Sequence, residues 1–130
     1  MVALPWSAGL YKPADGTELH VLTSNLPLNR FRDVPRFLMW TMRIRTQLKT
    51  AEGCAGYTLD AQPFVKTFWT LSAWSDKQAM EKFVHSGVHA RMLEDMKGRL
   101  GDPHFADSTA TPADLPLSWA DAHARIKRIS

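Results

Sequence analysis

Cysteine is nearly absent: Cys54 is the only one in 130 residues. That excludes an internal disulfide and leaves no cysteine-based zinc site. With no base beside it in the sequence, Cys54 reads as a small buried residue rather than a nucleophile. Long apolar runs are also missing. None approaches the roughly 20 residues that a membrane-crossing helix needs, and the opening Met1-Val-Ala-Leu-Pro-Trp6 lacks the basic start and apolar centre of a secretory signal. The expectation is a cytoplasmic protein without a membrane span. No repeat or low-complexity tract is visible. Charge of one sign is scarce too, with 16 Lys and Arg against 13 Asp and Glu, a net +3. Much of the excess falls on Arg30, Arg32, Arg36, Arg43, Arg45 and Lys49. Nucleic-acid binding would interleave aromatics with those cations on one surface, whereas Phe37 and Trp40 fall on the apolar stripe. A solvated helix face, and no nucleic-acid partner, is the expectation.

What is present is an ordinary globular balance, 45% apolar and 22% charged, which points to one domain with a real core. Pro5, Gly9, Pro13 and Gly16 mark residues 1–17 as an irregular arm, leaving 18–130 as the domain. The most informative stretch runs from Val65 to Gln78. Val65, Thr67, Trp69, Leu71 and Ala73 alternate with Lys66, Phe68, Thr70, Ser72 and Trp74, the period of a half-buried strand. Ser75 followed by Gln78 then has the form of a capping box, opening a helix with Ala79, Met80, Phe83 and Val84 at helical spacing. Ser86-Gly87 ends that helix and starts another through Val88, Met92 and Met96. Earlier, 18–26 alternates as a strand and Asp33 caps a helix carrying Val34, Phe37, Trp40 or Thr41, Ile44 and Leu48. Gly53 stops it as a left-handed residue. Residues 55–61 form a second strand, turned at Gln62-Pro63. Residues 104–111 are a further strand candidate, and Ser118-Trp-Ala-Asp121 opens a closing helix to about Arg128.

Strand, helix, strand, strand, split helix, strand, helix is the order of an α+β, ferredoxin-like split βαβ with a four-stranded antiparallel sheet. Helices on one side leave the other open, and the residues expected there, Leu22, Leu26, Phe68 and Trp74, are too apolar for water. A homodimer formed by sheet packing, a dimeric α+β barrel, follows as the expectation.

Phe68-Trp-Thr-Leu-Ser-Ala-Trp74-Ser-Asp, Phe83, Ser86-Gly-Val-His89-Ala-Arg-Met92 and Leu115-Pro-Leu-Ser-Trp119-Ala-Asp-Ala-His123 resemble the dimeric α+β barrel superfamily. Within it the pattern resembles the antibiotic biosynthesis monooxygenase-like proteins and, more remotely, the spheroidene monooxygenases. The resemblance spans roughly 18–128. It implies oxygenation of a small hydrophobic molecule, with either no cofactor or haem. Against the haem-degrading members, Asn25 matches their first-strand asparagine, while Phe83 stands at their tryptophan and Leu93 at their haem-ligating histidine. His89 lies one turn before Leu93, at a position similar to a histidine of the spheroidene monooxygenases.

From the residues themselves, His89 beside Met92, Leu93 and Met96 suits an iron ligand or a base near an apolar substrate, but a histidine that caps or packs between helix and sheet is the favoured reading. Asn25, Tyr57 and Trp69 are expected on one side of the sheet, covered by Trp40, Phe83 and Met92 from the helices. Such a set lines an apolar cavity with few polar groups or fills an ordinary core. The candidate catalytic residues are therefore His89, Asn25 and Tyr57, and the candidate substrate-binding residues Trp40, Trp69, Phe83 and Met92. His85 and His89 have the spacing of a metal pair, but Ser86-Gly87 interrupts the helix and no third ligand is evident, so no metal is expected. The alternative to an enzyme is a noncatalytic dimer that binds a ligand or haem.

Overall fold

The computed structural model describes residues 2–3, 5–115, 117, 119–120 and 122. In chain order the elements are β1 (Val2–Ala3), β2 (Ser7–Ala8), β3 (Leu19–Pro27), α1 (Val34–Leu48), β4 (Cys54–Gln62), β5 (Thr67–Trp74), α2 (Lys77–Val84), α3 (Gly87–Asp95) and β6 (His104–Ala110). The sheet runs β1-β4-β5-β3-β6, antiparallel throughout, with β2 also on β4. Its four long strands, in the order β4-β5-β3-β6, and the two crossovers make the ferredoxin-like α+β arrangement read from the sequence. Residues 1–17 are not wholly irregular, because β1 and β2 extend the sheet along β4. The expected closing helix beyond Ser118, including His123, lies largely outside the described residues.

Local signals placed the helices well and their caps less well. In α1, Phe37, Trp40, Thr41 and Leu48 are buried, the stripe that a 3.6-residue period brings to one side. Asp33 does not cap it. Its carboxylate accepts from Arg99 Nη1 at 2.9 Å instead, tying the start of α1 to the segment after α3. Gly53 has φ +83°, and an added Cβ would lie 2.7 Å from both Ala79 and Ser75, so glycine satisfies conformation and close approach together. Asp76, not Ser75, caps α2, its carboxylate accepting from the Ala79 N–H at 2.7 Å. Ser86-Gly87 separates α2 from α3 as expected, with Gly87 at φ +54°.

In β3 and β5 the two faces are reversed relative to the sequence expectation, while Tyr57 of β4 lies on the helix side as expected. Leu22 and Leu26 of β3, Tyr57, Leu59 and Ala61 of β4, and Phe68 and Trp74 of β5 pack with Phe37, Trp40, Leu48, Met80, Phe83, Met92 and Met96 from the helix layer. Leu22, Leu26, Phe68 and Trp74 are therefore not an open face and offer no surface for a second sheet. The second face carries Leu19, Val21, Leu71, Ala73 and Ala110. It is covered by the chain itself, through Trp6, Tyr11, Leu115, Leu117, Trp119 and Ala122. Gly56 makes room for this cover, since a Cβ there would overlap the Trp6 indole. Period-two alternation assigns residues to a common face but not to a particular layer, and here both faces are apolar because both are covered.

Candidate functional site

Helices and sheet do not close completely on each other. Between them lies a cavity of about 300 Å³, at the lower bound of the ~300–1,000 Å³ typical of small-molecule sites. Its floor is Leu22, Ser24 and Leu26 from β3, Tyr57 and Leu59 from β4, and Thr70, Ser72 and Trp74 from β5. Phe37, Thr41, Ile44, Arg45 and Leu48 of α1, Met80, Phe83 and Val84 of α2, and His89, Met92 and Leu93 of α3 form the roof. Phe105 on the edge strand β6 and Leu93 also line the space while 51% and 38% exposed, which puts an apolar mouth between α3 and β6.

The wall around His89 is aromatic. The Trp74 and Phe83 ring centroids are 5.2 Å apart, and those of Phe83 and His89 5.3 Å, both pairs tilted. The helix break places the imidazole: His89 Nδ1 lies 3.0 Å from the Val84 carbonyl oxygen at the end of α2. A neutral imidazole making that bond carries its proton on Nδ1, which leaves the Nε2 lone pair free. Gln47 braces the turn, its Oε1 accepting from the His89 N–H at 2.9 Å and its Nε2 donating to the Ser86 carbonyl at 3.2 Å. Burial lowers the His89 pKa below its ordinary 6.5; the Val84 bond opposes this and nearby His85 adds to it. His89 is thus a neutral base at neutral pH.

Trp74 Nε1 donates to Ser72 Oγ at 2.8 Å, and Thr41 Oγ1 to the Phe37 carbonyl at 2.9 Å. The cavity thus combines a dominant apolar wall with hydroxyls from Ser24, Thr41, Tyr57, Thr70 and Ser72.

Of the residues singled out from the sequence, His89, Tyr57, Phe83 and Met92 line this cavity. Asn25 and Trp69 do not. They pair across β3 and β5 on the opposite face, where Asn25 Nδ2 donates to Thr67 Oγ1 at 2.9 Å. The expectation that Asn25, Tyr57 and Trp69 share one side fails for this reason. Trp40 is core rather than lining: 8% exposed, it donates Nε1–H to Asp95 Oδ2 at 2.7 Å. Asp95 also accepts twice from Arg36 at 2.6 Å, joining α1 to α3, and these bonds, Arg36 first and Trp40 next, hold its carboxyl well below the usual range.

Sequence reasoning did not single out Ser24, Thr70, Ser72 or Arg45. Thr70 and Ser72 fall in register with Phe68 and Trp74, so hydroxyls interrupting an apolar alternation were the available signal. Arg45 was grouped with the solvated arginines, although it follows Ile44 at the edge of the stripe.

The fold is that of a ferredoxin-like α+β domain. No family model matches the chain, and no curated protein matches it either. Among solved structures it is similar to a Caulobacter crescentus protein described as a "putative antibiotic biosynthesis monooxygenase", with TM-score 0.64 and 13% identity over 75% of this chain and 93% of that one. A "putative monooxygenase" of Fusobacterium nucleatum gives TM-score 0.66 and 8% identity, over 82% of this chain and 50% of the other. A Nitrosomonas europaea protein of unknown function gives TM-score 0.63 and 13% identity, over 78% and 98%. At such identities the likeness shows the fold alone.

Proposed function

We propose that this chain is a monooxygenase-type enzyme that needs no cofactor and acts on a small, flat hydrophobic molecule, aromatic or polyketide-like, held between sheet and helices. The observation that carries the reading is His89, whose Nδ1 bonds the Val84 carbonyl and whose Nε2 is left free, on the wall of a predominantly apolar cavity of about 300 Å³. In the proposed reaction His89 Nε2 takes a proton from an activated methylene of the substrate. Hydroxyls such as Tyr57 and Thr70 donate to the oxyanion that develops, in a site where exclusion of water strengthens each bond. The carbanion is electron-rich enough to reduce dioxygen directly, and a C–O bond forms. The resulting hydroperoxide loses water, so one oxygen leaves as water, the other stays as a carbonyl, and the methylene supplies both hydrogens and both electron pairs. No external reductant is required.

Haem would need a larger share of the ~300–1,000 Å³ range as well as an axial ligand. His89 meets only the second need, so no step here runs through haem. The names of the Caulobacter and Fusobacterium proteins support the oxygenase side of the reading, as does the cavity.

The test is oxidation of a panel of anthrones under ¹⁸O₂ with mass spectrometry of the products. Wild type is expected to yield a ketone carrying one labelled oxygen, with the rate reduced roughly 10²–10⁴-fold in His89→Ala. Anthrones that bind but oxidise no faster than in buffer would sink the enzymatic reading.

A further inference from the structure

One permanently charged side chain is among the residues lining the cavity. Among its lining residues the titratable side chains are Arg45, Tyr57 and His89, and there is no carboxylate. Arg45 is half-buried on α1, one turn after Thr41 and just before Leu48, both of which also line the cavity. Neighbouring arginines of the helix have partners elsewhere. Arg36 is held by Asp95, and Arg43 lies over the Trp40 ring at 5.4 Å. The ion pairs among the described residues are His20 with Asp107, Arg36 with Asp95, Lys82 with Glu52 and Arg99 with Asp33, none of which engages Arg45.

A guanidinium stays charged under all ordinary conditions. A guanidinium in the lining has no anion beside it among the lining residues, so an acidic group on a ligand would be its natural partner. The apolar wall asks for a flat hydrocarbon body, and the single cation asks for one acidic group, for which a carboxylate has the matching fork geometry. We infer that the ligand is an aromatic acid, its ring system on the apolar wall and its carboxylate on Arg45, making Arg45 the residue that determines specificity. This deepens the function proposed above and rests on it, because it takes the same cavity as the substrate site. It also gives the two side chains distinct tasks: Arg45 orients an anchored anion, while His89 meets the carbon that loses its proton.

The experiment measures binding of 2-naphthoate and of the uncharged 2-naphthalenemethanol by titration calorimetry, using wild type, Arg45→Gln, Arg45→Lys and Arg43→Gln. Wild type is expected to bind the acid about tenfold more tightly than the alcohol, equivalent to about 1.4 kcal/mol. Arg45→Gln should abolish that preference and Arg45→Lys restore part of it, while Arg43→Gln retains it. Circular dichroism of each variant checks that the fold is intact. Equal affinity for acid and alcohol in wild type overturns the inference and leaves the cavity as a site for neutral ligands. Equal losses in Arg43→Gln and Arg45→Gln also overturn it, since only the net positive charge of the helix would then matter. Binding of neither compound overturns the use of the cavity itself, and with it the proposed function.

Discussion

Substituting Gly56 by alanine adds one methyl group to β4, and the structure states where that methyl must go. An ideal Cβ at Gly56 would fall within the Trp6 indole, overlapping Cζ2 and Cε2 and lying 2.6 Å from Nε1. Carbon contacts are comfortable near 3.5–4.0 Å, so the indole has to move outward by about 1 Å or more. Trp6 packs over Leu19, Val21, Ala55, Leu71 and Ala73, and lifting it loosens that contact. Overpacking of this kind costs about 1–3 kcal/mol, partly offset by the ~0.5–1 kcal/mol that alanine gains over glycine inside a strand. A net loss of about 1–2 kcal/mol is expected, a fall in Tm of roughly 4–8 °C for a chain of this size. In a Trp6→Ala background the three atoms nearest that methyl are removed, and the same substitution should be neutral within about 0.5 kcal/mol or slightly stabilising. Urea unfolding followed by far-ultraviolet circular dichroism on the four proteins yields the coupling free energy, provided the slope with denaturant stays constant. Equal costs in both backgrounds, or no cost in wild type, would refute the placement of Trp6 against β4.

Three further outcomes follow from the charged and titratable groups. Because burial holds the folded-state pKa of His89 below 6.5, the unfolded chain binds the extra proton as pH falls below that value, so stability declines there; His89→Gln should flatten that part of a Tm-against-pH curve. Asp95 acts in the same direction at lower pH: its pKa is lowered from 3.8, chiefly by Arg36, so its contribution is present above that value and lost as pH falls, and Asp95→Asn should leave the acid limb shallower. Cys54 is 0% exposed and its thiol is pushed up to about 12 by burial, so a thiol-reactive disulfide reagent at pH 8 should label the protein only after denaturant is added.

Much of the fold was legible because helices and strands are written in local periods. Phe37, Trp40 and Leu48 at helical spacing, and Leu71 and Ala73 two apart, leave little choice of element. Caps were less legible: Ser75 and Asp76 both suit the start of α2, and a difference of one residue in backbone geometry decides for Asp76. The site was legible in part, for a reason that lies in β4. There the register shifts between Cys54 and Gly56, and all residues from Cys54 to Ala61 are buried, so alternation cannot say which side Tyr57 takes. With the faces unresolved, Asn25 and Trp69 were grouped with Tyr57 although the sheet separates them. Arg45 reads as part of a solvated face because an arginine at the margin of an apolar stripe looks the same in sequence whether it faces water or an internal space.

The cover over the second face of the sheet also makes self-association conditional. Trp6, Tyr11, Leu115, Leu117 and Trp119 occupy the surface over Leu19, Val21 and Leu71, so a second copy can use that surface only after they leave it. Self-pairing through that face would thus have to displace the chain's own flanking segments, whose docking does not depend on concentration, so a variant that loosens them would uncover the face without altering a residue on it.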